Sequence, residues 1–218
     1  TIDSLDNSTE RIKALKVIFE RIEADPDIRT PRKKNNVLIE CYFHISTEYY
    51  RLGQYDKAID QCNLALALNP ENAIGFYNRG VAYQAKGEIQ AALDDYIKAI
   101  SLNSDYSDAY FNRGTLYESQ GEYELALEDY NQAAKLKPIY LASVYINRGN
   151  IYQELNENNK AFDDYTKALG IDSLNIDAYV NRGNTFVGMR KYENALADYT
   201  CAALIDSMDA DVYNKRAY

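Results

Sequence analysis

The stretch Asn78-Arg79-Gly80 returns as Asn112-Arg113-Gly114, Asn147-Arg148-Gly149 and Asn181-Arg182-Gly183, and in altered form as Lys215-Arg216-Ala217. The arginines step by 34, 35, 34 and 34 residues. A second signature, Asp95-Tyr96, returns at the same spacing as Asp129-Tyr130, Asp164-Tyr165 and Asp198-Tyr199. A fixed period of this length marks an array of repeated supersecondary units, each packing chiefly on its neighbours, rather than one central core.

Outward from the triplet, the chain divides into five repeats, 39–72, 73–106, 107–141, 142–175 and 176–209, with 210–218 read as the first helix of a truncated sixth. In the second repeat Phe76, Gly80 and Tyr83 fall on one helical stripe, and Ala92, Tyr96 and Ala99 on the stripe of a second helix. Lys86-Gly87-Glu88 separates them, glycine supplying the positive φ of a helix end. Asn103-Ser104-Asp105 closes the repeat and offers caps to the next helix. The small residues allow close helix approach and the tyrosines fill the space beside them. Residues 1–38 lie outside the period and read as a helical cap and linker. Asn7-Ser8-Thr9-Glu10 is expected to start a helix, and Pro26 and Pro31 to bracket a break. Arg32-Lys33-Lys34 reads as the solvated first turn of the following helix. The expected fold is all-α, with no strand pattern in the chain.

Five concordant copies over roughly residues 39–218 resemble the tetratricopeptide repeat family. That resemblance implies a right-handed solenoid of antiparallel helix pairs, with a concave groove that holds peptides or other proteins. The chain departs from the family pattern in having no tryptophan. Arginine replaces the leucine before the glycine, and the inter-repeat proline survives only at Pro70 and Pro138. Asn156 and Arg190 stand where the helix-turn glycine is expected, so those turns are expected to be looser, and one extra residue near Leu141 is expected to widen a joint.

Helical phase assigns the members of the triplet different tasks. Arg79 lies three after Phe76 and four before Tyr83, on the packed stripe, and Asp95 holds the matching place on the second helix. A charge inside packing must be paired. The first repeat has Ile45 and Gln61 at these two positions, so both charges are missing together. Structural pairs Arg79–Asp95, Arg113–Asp129, Arg148–Asp164 and Arg182–Asp198 are therefore expected. Asn78 is about 200° from both Phe76 and Gly80, on another face. By the resemblance this face lines the groove, where Asn78, Asn112, Asn147 and Asn181 form a ladder with His44 and Lys215 at its ends. Carboxamides donate and accept, so they suit the backbone of an extended segment. Rungs one helix apart, roughly 8–10 Å, would each span about three extended residues. The ladder resembles that of the repeat domain of O-linked N-acetylglucosamine transferases and that of armadillo-type import receptors. Tyr77, Phe111, Asn150 and Asn184 are assigned to the same face, as are the acidic Asp108 and Asp177. These acids exclude a basic carboxylate clamp and point to a neutral-to-basic partner segment.

Lys and Arg total 24 against 33 Asp and Glu, a formal charge of −9, which disfavours nucleic acid and anionic membrane. No apolar run suggests a membrane span. Cys41, Cys62 and Cys201 are scattered, with no metal spacing, and suggest reduced thiols and a cytoplasmic setting. His44 is the sole histidine, and no catalytic set, metal site or cofactor motif is present. The expected function is a non-enzymatic scaffold or adaptor. Its alternatives are the substrate-recruiting arm of a larger enzyme and a secretion or assembly chaperone. The oligomeric state stays open.

Overall fold

A computed structural model describes residues 2–24 and 31–216, with side chains described for residues 7–22 and 33–205. The described residues form eleven helices: α1 (Ile2–Ala24), α2 (Pro31–Arg51), α3 (Tyr55–Leu68), α4 (Ala73–Lys86), α5 (Ile89–Leu102), α6 (Ser107–Ser119), α7 (Tyr123–Lys135), α8 (Leu141–Glu154), α9 (Asn158–Ile171), α10 (Ile176–Gly188) and α11 (Tyr192–Arg216). They are arranged as antiparallel pairs within two compact units, residues 1–113 and 114–218.

In the first unit α1 packs on α2, α2 on α3, α3 on α4 and α4 on α5, and α2 also touches α4. Ala58, Ala65, Ala92, Tyr96 and Ala99 are fully buried. Helix α1 takes the place that a preceding second helix would hold. Phe19 packs on Tyr42, with ring centroids 5.2 Å apart. Glu48 is buried where the aligned positions carry Ala82, Leu116, Ile151 and Thr185. It accepts hydrogen bonds from Arg11 and Arg51. Burial pushes the Glu48 carboxyl up, but Ser8 and these arginines pull it down further, to a net value below the ordinary one. Ser8 thus serves as a contact between helices rather than as part of a cap, and α1 begins at Ile2, upstream of the expected start at Asn7. The break between Pro26 and Pro31 lies outside the described residues, but α2 does start at Pro31, where a missing N–H costs nothing.

In the second unit α7 packs on α8, α8 on α9, α9 on α10 and α10 on α11, and α8 touches α10. The extra residue near Leu141 is taken up in the joint between α7 and α8, where Lys137 adopts φ 49. Asn156 and Arg190 do not loosen their turns. Both take the left-handed conformation, φ 57 and 60, that Gly87 and Gly121 take at φ 86 and 77. The closing backbone bonds are kept, from Glu157 N–H to Tyr152 O at 2.7 Å and from Lys191 N–H to Phe186 O at 2.8 Å. The surrounding packing over-determines the turn and overrides the steric preference for glycine.

Two other expectations are corrected. Asn103 does not cap α6; its side chain accepts from Asp105 N–H at 3.1 Å in a turn that ends α5. Asn72 and Asn175, three residues further on by repeat position, cap α4 and α10 by accepting from Gly75 and Ala178 N–H. The truncated sixth repeat is not set off by a break, because α11 runs continuously from Tyr192 to Arg216. Ser207-Met208-Asp209-Ala210 holds neither glycine nor proline, so no residue there forces the helix to stop.

The triplet glycines show why the period is so regular. A Cβ on Gly149 would stand 2.7 Å from Tyr165 Cε1, and one on Gly80 would stand 2.8 Å from Tyr96 Cε1. Each tyrosine lies directly against the facing helix backbone and is fully buried. Gly170, in α9, has nothing within 4 Å of such a Cβ. Gly149→Ala is therefore expected to destabilise by roughly 1–3 kcal/mol through overpacking, less its gain in helix propensity, whereas Gly170→Ala stabilises by up to about 1 kcal/mol. Urea midpoints of the two variants check this contrast of sign.

Candidate functional site

The paired charges come first, because they hold the first helices in register. Arg79 donates from Nε to Asp95 Oδ2 at 2.8 Å and from Nη2 to Oδ1 at 2.7 Å. Arg148 makes the same fork on Asp164 at 2.6 and 2.7 Å, and Arg182 on Asp198 at 2.8 and 2.8 Å. Each joins the two helices of one repeat. Donating to Asp95 raises the Arg79 guanidinium further into its charged range, while burial pushes the Asp95 carboxyl up against Arg79's pull. Asp129 is buried in the second unit, and Arg113, in the first, stands over the Tyr110 ring. Their pairing remains an expectation drawn from the period.

Each of the three arginines also reaches a residue that sequence reading passed over. Arg79 Nη1 donates to Asn63 at 2.6 Å, Arg148 Nη1 to Asn131 at 2.6 Å and Arg182 Nη1 to Thr166 at 3.3 Å. These partners sit on the second helix of the preceding repeat, so one guanidinium ties three helices together. The signal was a polar residue two places after the aspartate position, a place filled once by Ile97.

The ladder asparagines are half-buried, and three of them are tied down. Asn112 donates to Tyr77 Oη at 3.2 Å, Asn147 to Tyr130 Oη at 3.4 Å and Asn181 to Asn150 Oδ1 at 3.0 Å. In the second unit the chemistry fixes which end of Asn147 points inward. Tyr130 has one proton and gives it to Glu118 at 2.5 Å, a carboxylate that can only accept. The Tyr130 oxygen is left as an acceptor, so Asn147 must present its N–H and retain its carbonyl oxygen. Burial raises the Tyr130 hydroxyl well above its ordinary range, and burial likewise raises Glu118. Asn150 Oδ1 receives both Asn181 and the Tyr165 hydroxyl, the latter at 2.8 Å. Asn184 accepts from Tyr199 at 2.7 Å. The Asn78 side chain makes no hydrogen bond with any described residue.

The other predicted face residues divide. Tyr77 is part of the packing: its ring lies 4.8 Å from Tyr106 and 5.9 Å from Tyr96, and burial pushes its hydroxyl up to about 12. Phe111 is half-buried and His44 exposed. Asp108 and Asp177 stand in the first turns of α6 and α10, where the helix dipole favours an acid irrespective of any partner. The Lys215 side chain lies outside the described residues. Among the described residues no cluster of His, Cys, Asp and Glu is arranged to hold a metal ion, and no helix is long and apolar enough to cross a membrane.

Comparison with known proteins agrees with this geometry. The sequence matches the tetratricopeptide repeat over residues 107–140 and 142–173, and the TPR repeat over 47–87 and 82–121. A search of curated proteins finds no match. Among solved structures the fold is similar to the crystal structure of MamA, at 24% identity and TM-score 0.71, covering 77% of this chain and 97% of that one. It is also similar to PilF of Pseudomonas aeruginosa, at 20% identity and TM-score 0.71, covering 84% and 87%. YrrB, described as a TPR protein with an unusual peptide-binding site, is similar at 20% identity and TM-score 0.65, covering 82% and 91%. At these identities the likeness is one of fold. Matched repeats from residue 47 to 173, antiparallel helix pairs and a glycine closed by a tyrosine in four of the five repeats support one assignment: the chain belongs to the tetratricopeptide repeat family.

Proposed function

We propose that the protein is a non-catalytic scaffold or adaptor that holds an extended segment of a partner protein along its first helices. The observation that carries this reading is the oriented ladder. Asn147 and Asn181 each give one N–H to their own array, which fixes the carboxamide plane and keeps the carbonyl oxygen uncommitted among the described residues. A pre-oriented acceptor loses little entropy on binding and suits the N–H groups of an extended backbone. The acidic Asp108 and Asp177, with a net charge of −9, favour a neutral-to-basic segment by steering its approach. The proposal places the protein in a reducing, cytoplasmic setting, in keeping with Cys41, Cys62 and Cys201 as free thiols. A peptide-binding site in the similarly folded YrrB supports the reading by analogy of fold alone. The likeness of the ladder to that of O-linked N-acetylglucosamine transferases belongs to the same proposal.

The test is capture of partners by the wild-type protein and by Asn78→Ala/Asn147→Ala, with melting curves to show that both are folded. The variant is expected to retain about a tenth of the partner or less, since two hydrogen bonds of roughly 0.5–1.5 kcal/mol each are removed. Binding of the wild type should also weaken as salt is added. Equal capture by both forms, or binding strengthened by salt, overturns the reading.

A further inference from the structure

The four rungs are not equivalent, and the difference sits beside a cavity. Between α2 and α4, a recess of about 200 Å³ is lined by Ser46, Thr47, Tyr50, Asn78, Val81 and Ala82. In the second unit the aligned place facing Asn181 is Asn150, whose oxygen accepts the Asn181 N–H. Facing Asn78 the residue is Thr47, and its hydroxyl is already given to Phe43 O at 2.9 Å along its own helix. Asn78 is thereby left with both ends of its carboxamide uncommitted, and the space that a longer side chain would close remains open.

The recess is largely apolar although Ser46, Thr47 and Tyr50 carry hydroxyls. Ser46 Oγ donates to Ala58 O at 3.0 Å and lies 3.1 Å from Cys62 Sγ, so it points into the packing. With the Thr47 hydroxyl also turned to its helix, the walls present a threonine methyl group, Val81, Ala82 and the exposed Tyr50 ring. The volume is below the roughly 300–1,000 Å³ of small-molecule pockets, which suits a single side chain rather than a free ligand. Ile74, exposed one helical turn before Asn78, extends the apolar strip. No basic residue lines the recess. By helical phase the acids Glu40 and Asp108 lie on the same face of this unit, together with Arg51, whose charge is already paired with the buried Glu48 at 2.7 Å.

We infer that this recess is a specificity subsite, accepting one aliphatic side chain of leucine or methionine size from an extended segment that carries a lysine or arginine close by. Asn78 holds the backbone of that residue through both its N–H and its carbonyl oxygen. This assignment rests on the proposed groove reading and adds to it a residue preference at one rung.

A random dodecapeptide display library, selected against the full chain, tests it. The probes are the wild type, Asn78→Ala, Val81→Trp, which fills the recess, and Thr47→Gln, an exposed change that narrows its rim without entering the packing. The wild type is expected to enrich peptides with an aliphatic residue near a basic one, and leucine-to-alanine substitution in a selected peptide should weaken binding at least about tenfold. Val81→Trp and Thr47→Gln should abolish the aliphatic preference while basic enrichment persists, and Asn78→Ala should weaken every selected peptide. Circular dichroism verifies the fold of each variant. Basic enrichment with no aliphatic preference, or a preference unchanged by Thr47→Gln, overturns the subsite and leaves the groove reading standing. Absence of any enriched peptide overturns both.

Discussion

Arg148→Leu is expected to destabilise the protein by about 3–5 kcal/mol, because it leaves a buried carboxylate without its main counter-ion. Asp164 is 2% exposed and receives two hydrogen bonds from Arg148. Lys167 remains within 3.1 Å, but that side chain is half in solvent and recovers only part of the loss. The substitution also removes the bond to Asn131 on the preceding helix pair, so the loss extends across a joint. Urea denaturation followed by helical ellipticity measures the effect. The companion variant Arg148→Leu/Asp164→Leu removes both charges and should recover most of the stability, since a buried ion pair is often replaced by apolar residues at little cost. A double variant no more stable than the two single losses summed would sink the pairing account. The first repeat supports the expected recovery: Ile45 stands at the arginine position, 2% exposed, with no charge opposite.

Raising the pH should unfold the protein over a narrow range above pH 10. Tyr96, Tyr130 and Tyr165 are fully buried, and burial raises all three hydroxyls well above their ordinary value of 10.0. Below that value both folded and unfolded chains keep these protons, and their contribution to stability is constant. Above it the unfolded chain releases them while the folded chain does not, so stability falls with rising pH. Each tyrosine contributes about 1.4 kcal/mol per pH unit, and the three together roughly 4 kcal/mol per unit, which exhausts an ordinary domain stability of about 5–15 kcal/mol within a few units. The check is absorbance of tyrosinate recorded alongside ellipticity. The buried tyrosines should ionise only as helix is lost, after exposed members of the 21 have titrated. Complete ionisation of every tyrosine before any loss of helix would contradict the packing described. Replacing the three by phenylalanine should make the stability of the variant less steeply dependent on pH in this range, even though it forfeits the bonds to Gln84, Glu118 and Asn150.

The arginine–aspartate pairs could be read in advance because both partners lie on stripes set by helical phase, and because the first repeat lacks both at once. Asn103 does not cap α6 as expected, since asparagine serves turns and caps equally well and only the backbone path distinguishes them. Asn7 misled in a similar way: a good capping sequence was overruled when Ser8 found a buried acid on the neighbouring helix. The turns at Asn156 and Arg190 kept their geometry against residue preference, because the flanking helices were already packed.

What the chain determined by itself is the period, the pairing of helices within each repeat, the glycine–tyrosine contacts and the charges that must meet inside. These follow from spacing along single helices, which a linear sequence encodes directly. The tertiary structure decided which ladder asparagines are tied, that the guanidinium groups of Arg79, Arg148 and Arg182 each grip a third helix, and that Asn78 borders an open recess. Those outcomes depend on whether a neighbour one helix away offers an acceptor within about 3 Å. Asparagine and threonine at the same aligned place, Asn150 and Thr47, give opposite results only because the threonine hydroxyl is consumed by its own backbone.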